Sequence, residues 1–115
     1  MMLTLYHNPR CSKSRQALKL LEGKGVKPLV IDYIKSPPSV KELDGIARLL
    51  TLEPKDFLRD KEDIAKELGI TKDSPRDAIL EAMSAHPKLI ERPILINPVK
   101  GACIGRPAEN VLNFI

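Results

Sequence analysis

The sequence has no tryptophan, and its aromatic side chains are limited to two tyrosines and two phenylalanines in 115 residues. Proteins that bind nucleic acid combine aromatic rings for base stacking with a patch of concentrated positive charge. Here the net charge is only +4, and 15 acidic residues are mixed among 19 basic ones. The composition therefore argues against a nucleic-acid groove, and we expect no nucleic-acid partner.

Long apolar runs are missing as well. The apolar stretch at residues 1–6 is followed at once by polar residues 7–10, so it is too short for a signal peptide or a membrane span. We expect a cytoplasmic protein without a membrane partner.

Cysteine is scarce too, since Cys11 and Cys103 are the only two. Their separation matches no zinc-ligand spacing, and a cytoplasmic protein normally keeps its thiols reduced. We therefore expect neither a metal site nor a structural disulfide. Cys103 falls in a predicted strand, where a free cysteine is usually a buried core residue.

The chain length allows one buried core, and we predict a single domain spanning residues 1–115. The first third predicts a strand at residues 3–6, a helix at residues 12–22 and a strand at residues 29–33. The two strands of such a βαβ unit are parallel and are joined by a right-handed crossover.

The middle of the chain, about residues 39–90, is predicted to be a helical insertion. Ser39 and Glu42 have the spacing of a capping box, which marks the start of its first helix. Further helices are predicted at Pro54, at residues 64–68 and from Ser74.

From residue 93 the pattern changes to a β-hairpin, with strands at residues 93–97 and 102–104, and then to a last helix from Pro107. A hairpin is antiparallel whereas a crossover is parallel, so the predicted sheet of about four strands is mixed. An α/β chain in the order β-α-β, helical insertion, β-β-α has the arrangement of a thioredoxin-like fold.

Cys11 lies where the first predicted strand gives way to the first helix, with Arg10, Lys13 and Arg15 around it. A helix N-terminus and nearby cations lower the pKa of a thiol from about 8.5 to roughly 3.5 to 7.5, which leaves it ionised at neutral pH. A free cysteine is often a small buried core residue instead, but the polar neighbours of Cys11 argue against that role. We predict that Cys11 is a thiolate nucleophile.

Ser14 stands where a Cys-x-x-Cys redox motif has its second thiol, so this chain cannot form that local disulfide. The hydroxyl of Ser14 can still donate a hydrogen bond to the Cys11 thiolate. His7 and the N–H groups of the first helical turn can also stabilise its negative charge. We predict catalytic roles for Cys11, His7 and Ser14.

Arg92 and Arg106 each precede a proline, Arg92-Pro93 just before the third predicted strand and Arg106-Pro107 just after the fourth. In a thioredoxin-like fold the proline before the third strand is held cis and faces the active helix, which places Arg92 beside Cys11. A single arginine is most often a solvated surface charge. Several guanidinium groups around a thiolate instead indicate a small oxyanion substrate, because the guanidinium binds such oxygens in bidentate fashion. A Cys-x5-Arg phosphatase loop is excluded, since Ala17 stands at its arginine position.

Four segments resemble the glutaredoxin-coupled arsenate reductases of the ArsC family, namely residues 7–15 (HNPRCSKSR), 57–61 (FLRDK), 91–94 (ERPI) and 105–107 (GRP). They occur in the family's order and at compatible spacing over essentially the whole chain. The resemblance implies a thioredoxin-like fold and the reduction of arsenate to arsenite. It also implies glutathione as co-substrate, glutaredoxin as partner and no bound cofactor.

The same resemblance assigns roles to individual residues. Cys11 is the nucleophile that attacks arsenic to give a thiol-arsenate adduct, and His7 helps to keep the thiol ionised. Arg59, Arg92 and Arg106 bind the oxyanion, and Arg59 is indicated by the resemblance alone. With one thiol at the site, glutathione acts as the second nucleophile and forms the mixed disulfide that glutaredoxin clears.

Ser12 and Lys13 depart from the Gly-Thr that commonly follows the family's cysteine, which leaves the physiological substrate open. Two other functions also remain open at this point. A regulator of the Spx group has the same fold and binds RNA polymerase, but its redox-sensing members usually carry the Cys-x-x-Cys that Ser14 interrupts. A thiol transferase acting on glutathionylated proteins would need Cys11 alone.

Overall fold

The computed structural model describes residues 2–115, and the chain divides into two compact units. The first consists of residues 2–36 and 92–115 and is called the sheet unit below. The second consists of residues 37–91 and is called the helical unit. The helical unit covers the segment in which the helical insertion is predicted. That the whole chain is a single domain stays a prediction.

The sheet unit holds the strands and the first helix. Its elements are β1 Thr4–His7, α1 Ser12–Gly23, β2 Leu29–Asp32, β3 Ile94–Asn97 and β4 Gly101–Ile104. The strand order is β2-β1-β3-β4, in which β1 is parallel to β2 and antiparallel to β3, and β3 is antiparallel to β4. The mixed α/β sheet predicted for a thioredoxin-like fold is confirmed.

An apolar core fixes α1 within the sheet unit. The buried cluster combines side chains from β1, α1, β3, β4 and the C-terminal segment: Leu5, Ala17, Leu21, Leu95, Cys103, Ala108 and Val111. Ala17 and Leu21 are one helical turn apart, so one face of α1 is buried. The predicted burial of Cys103 is confirmed, and burial raises the pKa of its thiol to about 11.

The last helix differs from the prediction, because Ala108–Phe114 is a 3₁₀ helix and not an α-helix. The helix predicted at Pro54 is likewise a 3₁₀ helix, Pro54–Phe57, and a further one, Pro87–Leu89, was not predicted. Apolar residues spaced by three or four positions suit both helix types, so the sequence pattern does not separate them.

The helical unit contains α2 Val40–Leu50, α3 Asp63–Leu68 and α4 Arg76–Ala85, and α2 packs against α4. The predicted capping box is confirmed, because Ser39 Oγ accepts the N–H of Glu42 and the Glu42 carboxylate accepts the N–H of Ser39, each at 3.1 Å.

A short antiparallel contact joins two loops of the helical unit. Leu58 pairs with Ile90, which brings residues 57–59 beside residues 89–91. Among the helices of residues 2–115, none is long and apolar enough to cross a membrane.

Candidate active site

Cys11 is the N-cap residue of α1, in the turn that follows β1. Its backbone is extended, with φ −94° and ψ 123°. The N–H of Cys11 donates to the carbonyl of Asn8 and its carbonyl accepts the N–H of Arg15, both at 3.0 Å. These bonds close the turn and start the helix. The partly exposed thiol therefore lies at the end of α1 where backbone N–H groups have no partner within the helix.

The pKa of the Cys11 thiol is lowered from its ordinary value. Burial is the largest single influence and opposes ionisation. The backbone N–H of Ser14, the guanidinium of Arg92 and the backbone N–H of Lys13 favour the thiolate, and together they outweigh burial. A lowered thiol pKa is expected of a reactive cysteine.

Arg106 is held between the thiol and the backbone of Arg92. Its Nη2 lies 3.8 Å from Sγ of Cys11, and its Nε donates to the carbonyl oxygen of Arg92 at 2.9 Å. The peptide bonds Arg92–Pro93 and Arg106–Pro107 are both cis. The structure thus brings Arg92 and Arg106 to Cys11 as predicted, while their role in binding substrate stays a prediction.

The hydroxyl of Ser14 differs from the sequence-based expectation. Ser14 is fully buried, and its Oγ lies 2.6 Å from Nδ1 of His7 and accepts the N–H of Asn8 at 3.0 Å. The hydroxyl thus joins the end of β1 to the first turn of α1. It is the backbone N–H of Ser14, and not the predicted hydroxyl, that favours the Cys11 thiolate.

His7 is also buried, and burial is the main reason why the pKa of its imidazole lies below the ordinary value. Asp32, its neighbour in the parallel β1–β2 register, raises the pKa, and Arg15 lowers it. A lowered pKa favours the neutral imidazole at neutral pH. His7 therefore acts here as a hydrogen-bond partner of Ser14 and not as a positive charge.

Arg59 belongs to the helical unit, where carboxylates surround it. Its Nη1 donates to Oε1 of Glu91 at 3.1 Å, and its Nη2 lies 3.5 Å from Oε2 of Glu62. The backbone N–H of Arg59 donates to the carbonyl of Leu89 at 2.7 Å, beside the Leu58–Ile90 pair. The side chain is 22% exposed. Its predicted role as an oxyanion ligand stays a prediction.

Sequence reasoning missed three contacts of the candidate site residues and their neighbours. The spacing of Arg59 and Glu62 at i and i+3 is a recognisable signal for an ion pair. The contact of Arg59 with Glu91 crosses 32 positions, and no local pattern indicates it. The close approach of Gly105 to Pro93 likewise depends on tertiary structure.

Comparison with known proteins gives one consistent result. Residues 6–114 match the model of the ArsC family. A curated relative named arsenate reductase, from Neisseria meningitidis serogroup A, is 45% identical over 113 residues, which cover 95% of this chain and 94% of the relative. A protein of the same name from Haemophilus influenzae is 43% identical over 117 residues, and the match covers 100% of both chains.

A solved structure shows the same similarity in three dimensions. The arsenate reductase from Vibrio cholerae superposes with a TM-score of 0.94 at 45% identity. The superposition covers 100% of this chain and 98% of that one.

Proposed function

The chain belongs to the ArsC family, and from this membership and the surroundings of Cys11 we propose that it reduces arsenate to arsenite. The observation that carries the proposal is a thiol with a lowered pKa that has the guanidinium groups of Arg92 and Arg106 beside it. The thiolate supplies a nucleophile, and the guanidinium groups supply donors for an oxyanion. The names of the relatives from Neisseria and Haemophilus support arsenate as that oxyanion.

In the first step the Cys11 thiolate attacks the arsenic atom of arsenate. A sulfur–arsenic bond forms, and one arsenate oxygen takes up protons and leaves as water. Arg92 and Arg106 bind the remaining oxygens and stabilise the charge that the adduct carries. Because both guanidinium groups already lie at the thiol, little reorganisation is needed when the oxyanion arrives.

In the second step glutathione attacks the sulfur of Cys11. A disulfide forms between glutathione and Cys11, and the electron pair of the sulfur–arsenic bond passes to arsenic, which leaves as arsenite. Glutaredoxin then attacks the mixed disulfide, takes the glutathionyl group and restores the Cys11 thiolate. An external thiol is required because Ser14 carries a hydroxyl and Cys103 is buried in the sheet core. The proposed location is the cytoplasm, which goes together with these proposed donors.

Arg59 is proposed as the third oxyanion ligand, on the strength of the sequence resemblance. Two carboxylates, Glu62 and Glu91, already face its terminal nitrogens. An oxyanion bound by Arg59 would therefore lie beside two negative charges, which weakens its binding there.

Steady-state turnover of the purified protein with arsenate, glutathione and glutaredoxin tests the proposal. We expect arsenate-dependent turnover that is abolished in Cys11→Ser and retained in Cys103→Ser, which changes the buried thiol instead. Absence of arsenate-dependent turnover in the unaltered protein would reject the proposal. Turnover of a glutathionylated peptide that is equally fast in Arg106→Ala, with none on arsenate, would indicate a thiol transferase.

A further inference from the structure

Gly105 lies unusually close to Pro93. A Cβ atom at position 105 would be 2.7 Å from Cγ and 3.2 Å from Cδ of Pro93, and 3.3 Å from Cγ1 of Val111. The first distance is far inside ordinary carbon–carbon contact, which is about 3.5–4.0 Å. The N–H of Gly105 also donates to the carbonyl of Pro93 at 2.8 Å. Any side chain at position 105 therefore forces the Pro93 ring or one of the two backbone segments to move.

Both segments carry an arginine of the candidate site. Pro93 is bonded to Arg92, and its ring cannot rotate away because Cδ is attached to the backbone nitrogen. Gly105 is bonded to Arg106. Whichever segment yields, the position of one guanidinium relative to Cys11 changes.

The two arginines are also connected directly. Nε of Arg106 donates to the carbonyl oxygen of Arg92 at 2.9 Å, while Nη2 of the same guanidinium lies 3.8 Å from Sγ of Cys11. A shift between the two segments changes this bond and therefore the direction in which Nη2 points. The contact between Gly105 and Pro93 thus sets the geometry of the hydrogen bond that orients Arg106.

We infer that Gly105 is a positioning residue of the active site, whose lack of a side chain lets Arg92 and Arg106 meet at the thiol of Cys11. The inference rests on the proposed function in one respect, because it takes Cys11 as the nucleophile. Gly105 itself contacts neither the thiol nor the substrate and acts through the two arginines.

The pH dependence of Cys11 alkylation by iodoacetamide in Gly105→Ala tests the inference. The reaction is followed by the mass of the Cys11 peptide, so that Cys103 does not contribute. We expect the alkylation midpoint to rise by roughly half a unit to one unit, which lowers the rate about three- to tenfold at pH values below both midpoints. The readout contains no arsenate, so it remains valid if arsenate is not the substrate.

Two controls separate positioning from loss of stability. Gly45→Ala adds a methyl group where no atom lies within 4 Å, and it should leave the alkylation midpoint unchanged. Leu43→Ala removes buried volume from the helical unit and should lower stability while leaving the midpoint unchanged. A Gly105→Ala protein that is destabilised but has the midpoint of the unaltered protein overturns the inference.

Arg106→Lys gives a second test that does not depend on the folding of Gly105→Ala. In Arg106 two separate guanidinium nitrogens make the bond to the Arg92 carbonyl and the approach to Cys11. A lysine has a single terminal nitrogen, which cannot be in both places. We expect the alkylation midpoint to rise in this variant as well. An unchanged midpoint in Arg106→Lys overturns the inference as stated, because Gly105 is inferred to act through Arg106 as well as through Arg92.

Discussion

The sheet unit and the helical unit surround their arginines differently. In the sheet unit, both arginines lie beside the thiol of Cys11. Arg92 favours its ionisation, and Nη2 of Arg106 lies 3.8 Å from Sγ. In the helical unit, Arg59 faces the carboxylates of Glu91 at 3.1 Å and Glu62 at 3.5 Å. Counting only the side chains just named, the first group sums to a positive charge even when the thiol is ionised, whereas the second sums to a negative charge. An arriving anion is therefore attracted to the first group and not to the second as it stands.

The role of a guanidinium in a motif therefore depends on the partners that the fold gives it. Arg106 places its guanidinium between a thiol and a backbone carbonyl, so its charge is not opposed by a carboxylate in either of these two contacts. A side chain that already binds two carboxylates places their negative charges next to any oxyanion that it binds. We therefore expect the arginines of the two units to respond differently to substitution.

The largest effect is expected from the sheet unit. Removing an electrostatic donor of this kind costs about 2–4 kcal/mol of transition-state stabilisation, so kcat/KM for arsenate should fall by roughly 30- to 900-fold in Arg92→Ala and in Arg106→Ala. Lys24→Ala removes an exposed charge from the other end of α1 and serves as the matched control. Losses smaller than about tenfold in both arginine variants would remove the distinction between the two units.

A smaller effect is expected in the stability of the helical unit. Residues in direct contact commonly couple by about 0.5–3 kcal/mol, and the Arg59–Glu91 pair is largely shielded from water, with side chains 22% and 28% exposed. A double-mutant cycle of Arg59→Ala and Glu91→Ala, measured by urea unfolding, should give at least about 0.5 kcal/mol of coupling.

The Arg48–Asp44 pair of the same unit provides the comparison for this cycle. The Arg48 side chain is 79% exposed, and exposed pairs typically contribute about 0.2–1 kcal/mol. Equal coupling in the two cycles would show that Arg59 is an ordinary surface ion pair, and the contrast between the units would then rest on the sheet unit alone.

The contrast between the units also marks the limit of what the sequence reveals. The βαβ unit and the hairpin follow from short apolar runs and turn residues, and the capping box of Ser39 and Glu42 is purely local. The residues next to Cys11 in the sequence also suffice to place it at the start of a helix. For this reason the fold and the position of the nucleophile could be predicted.

Other features depend on tertiary contacts. The hydroxyl of Ser14 in the first turn of α1 bonds His7 at the end of β1 and not the thiol, and both side chains are buried. Arg106 is oriented by the carbonyl of Arg92, 14 positions away, and Arg59 by Glu91, 32 positions away. Neither separation corresponds to a helix or strand periodicity, so no sequence pattern predicts these contacts.

The smallest effect is expected from His7, whose pKa is lowered in the folded state by burial. An unfolded histidine titrates at about 6.5, so between that pH and the lowered pKa the unfolded chain binds more protons than the folded one. Stability should therefore fall as the pH drops below about 6.5 and should not change for this reason above it.

Urea unfolding of the unaltered protein and of His7→Gln across this pH range checks the sign. The difference in unfolding free energy between the two proteins should shift in favour of His7→Gln as the pH falls. A shift in the opposite direction would show that His7 gains a proton on folding. The imidazole would then act as a charge beside the thiol, contrary to its pairing with Ser14.

The most direct test of the difference between the two units is the alkylation midpoint of Cys11 in three proteins. In the unaltered protein we predict a midpoint below the free-thiol value of about 8.5. Arg92→Ala should raise it, and Arg59→Ala should leave it unchanged, because Glu62 and Glu91 already bind that guanidinium. A midpoint at the free-thiol value in the unaltered protein, or equal shifts in the two variants, would contradict the assignment of Cys11 as a thiolate activated by the arginines of the sheet unit.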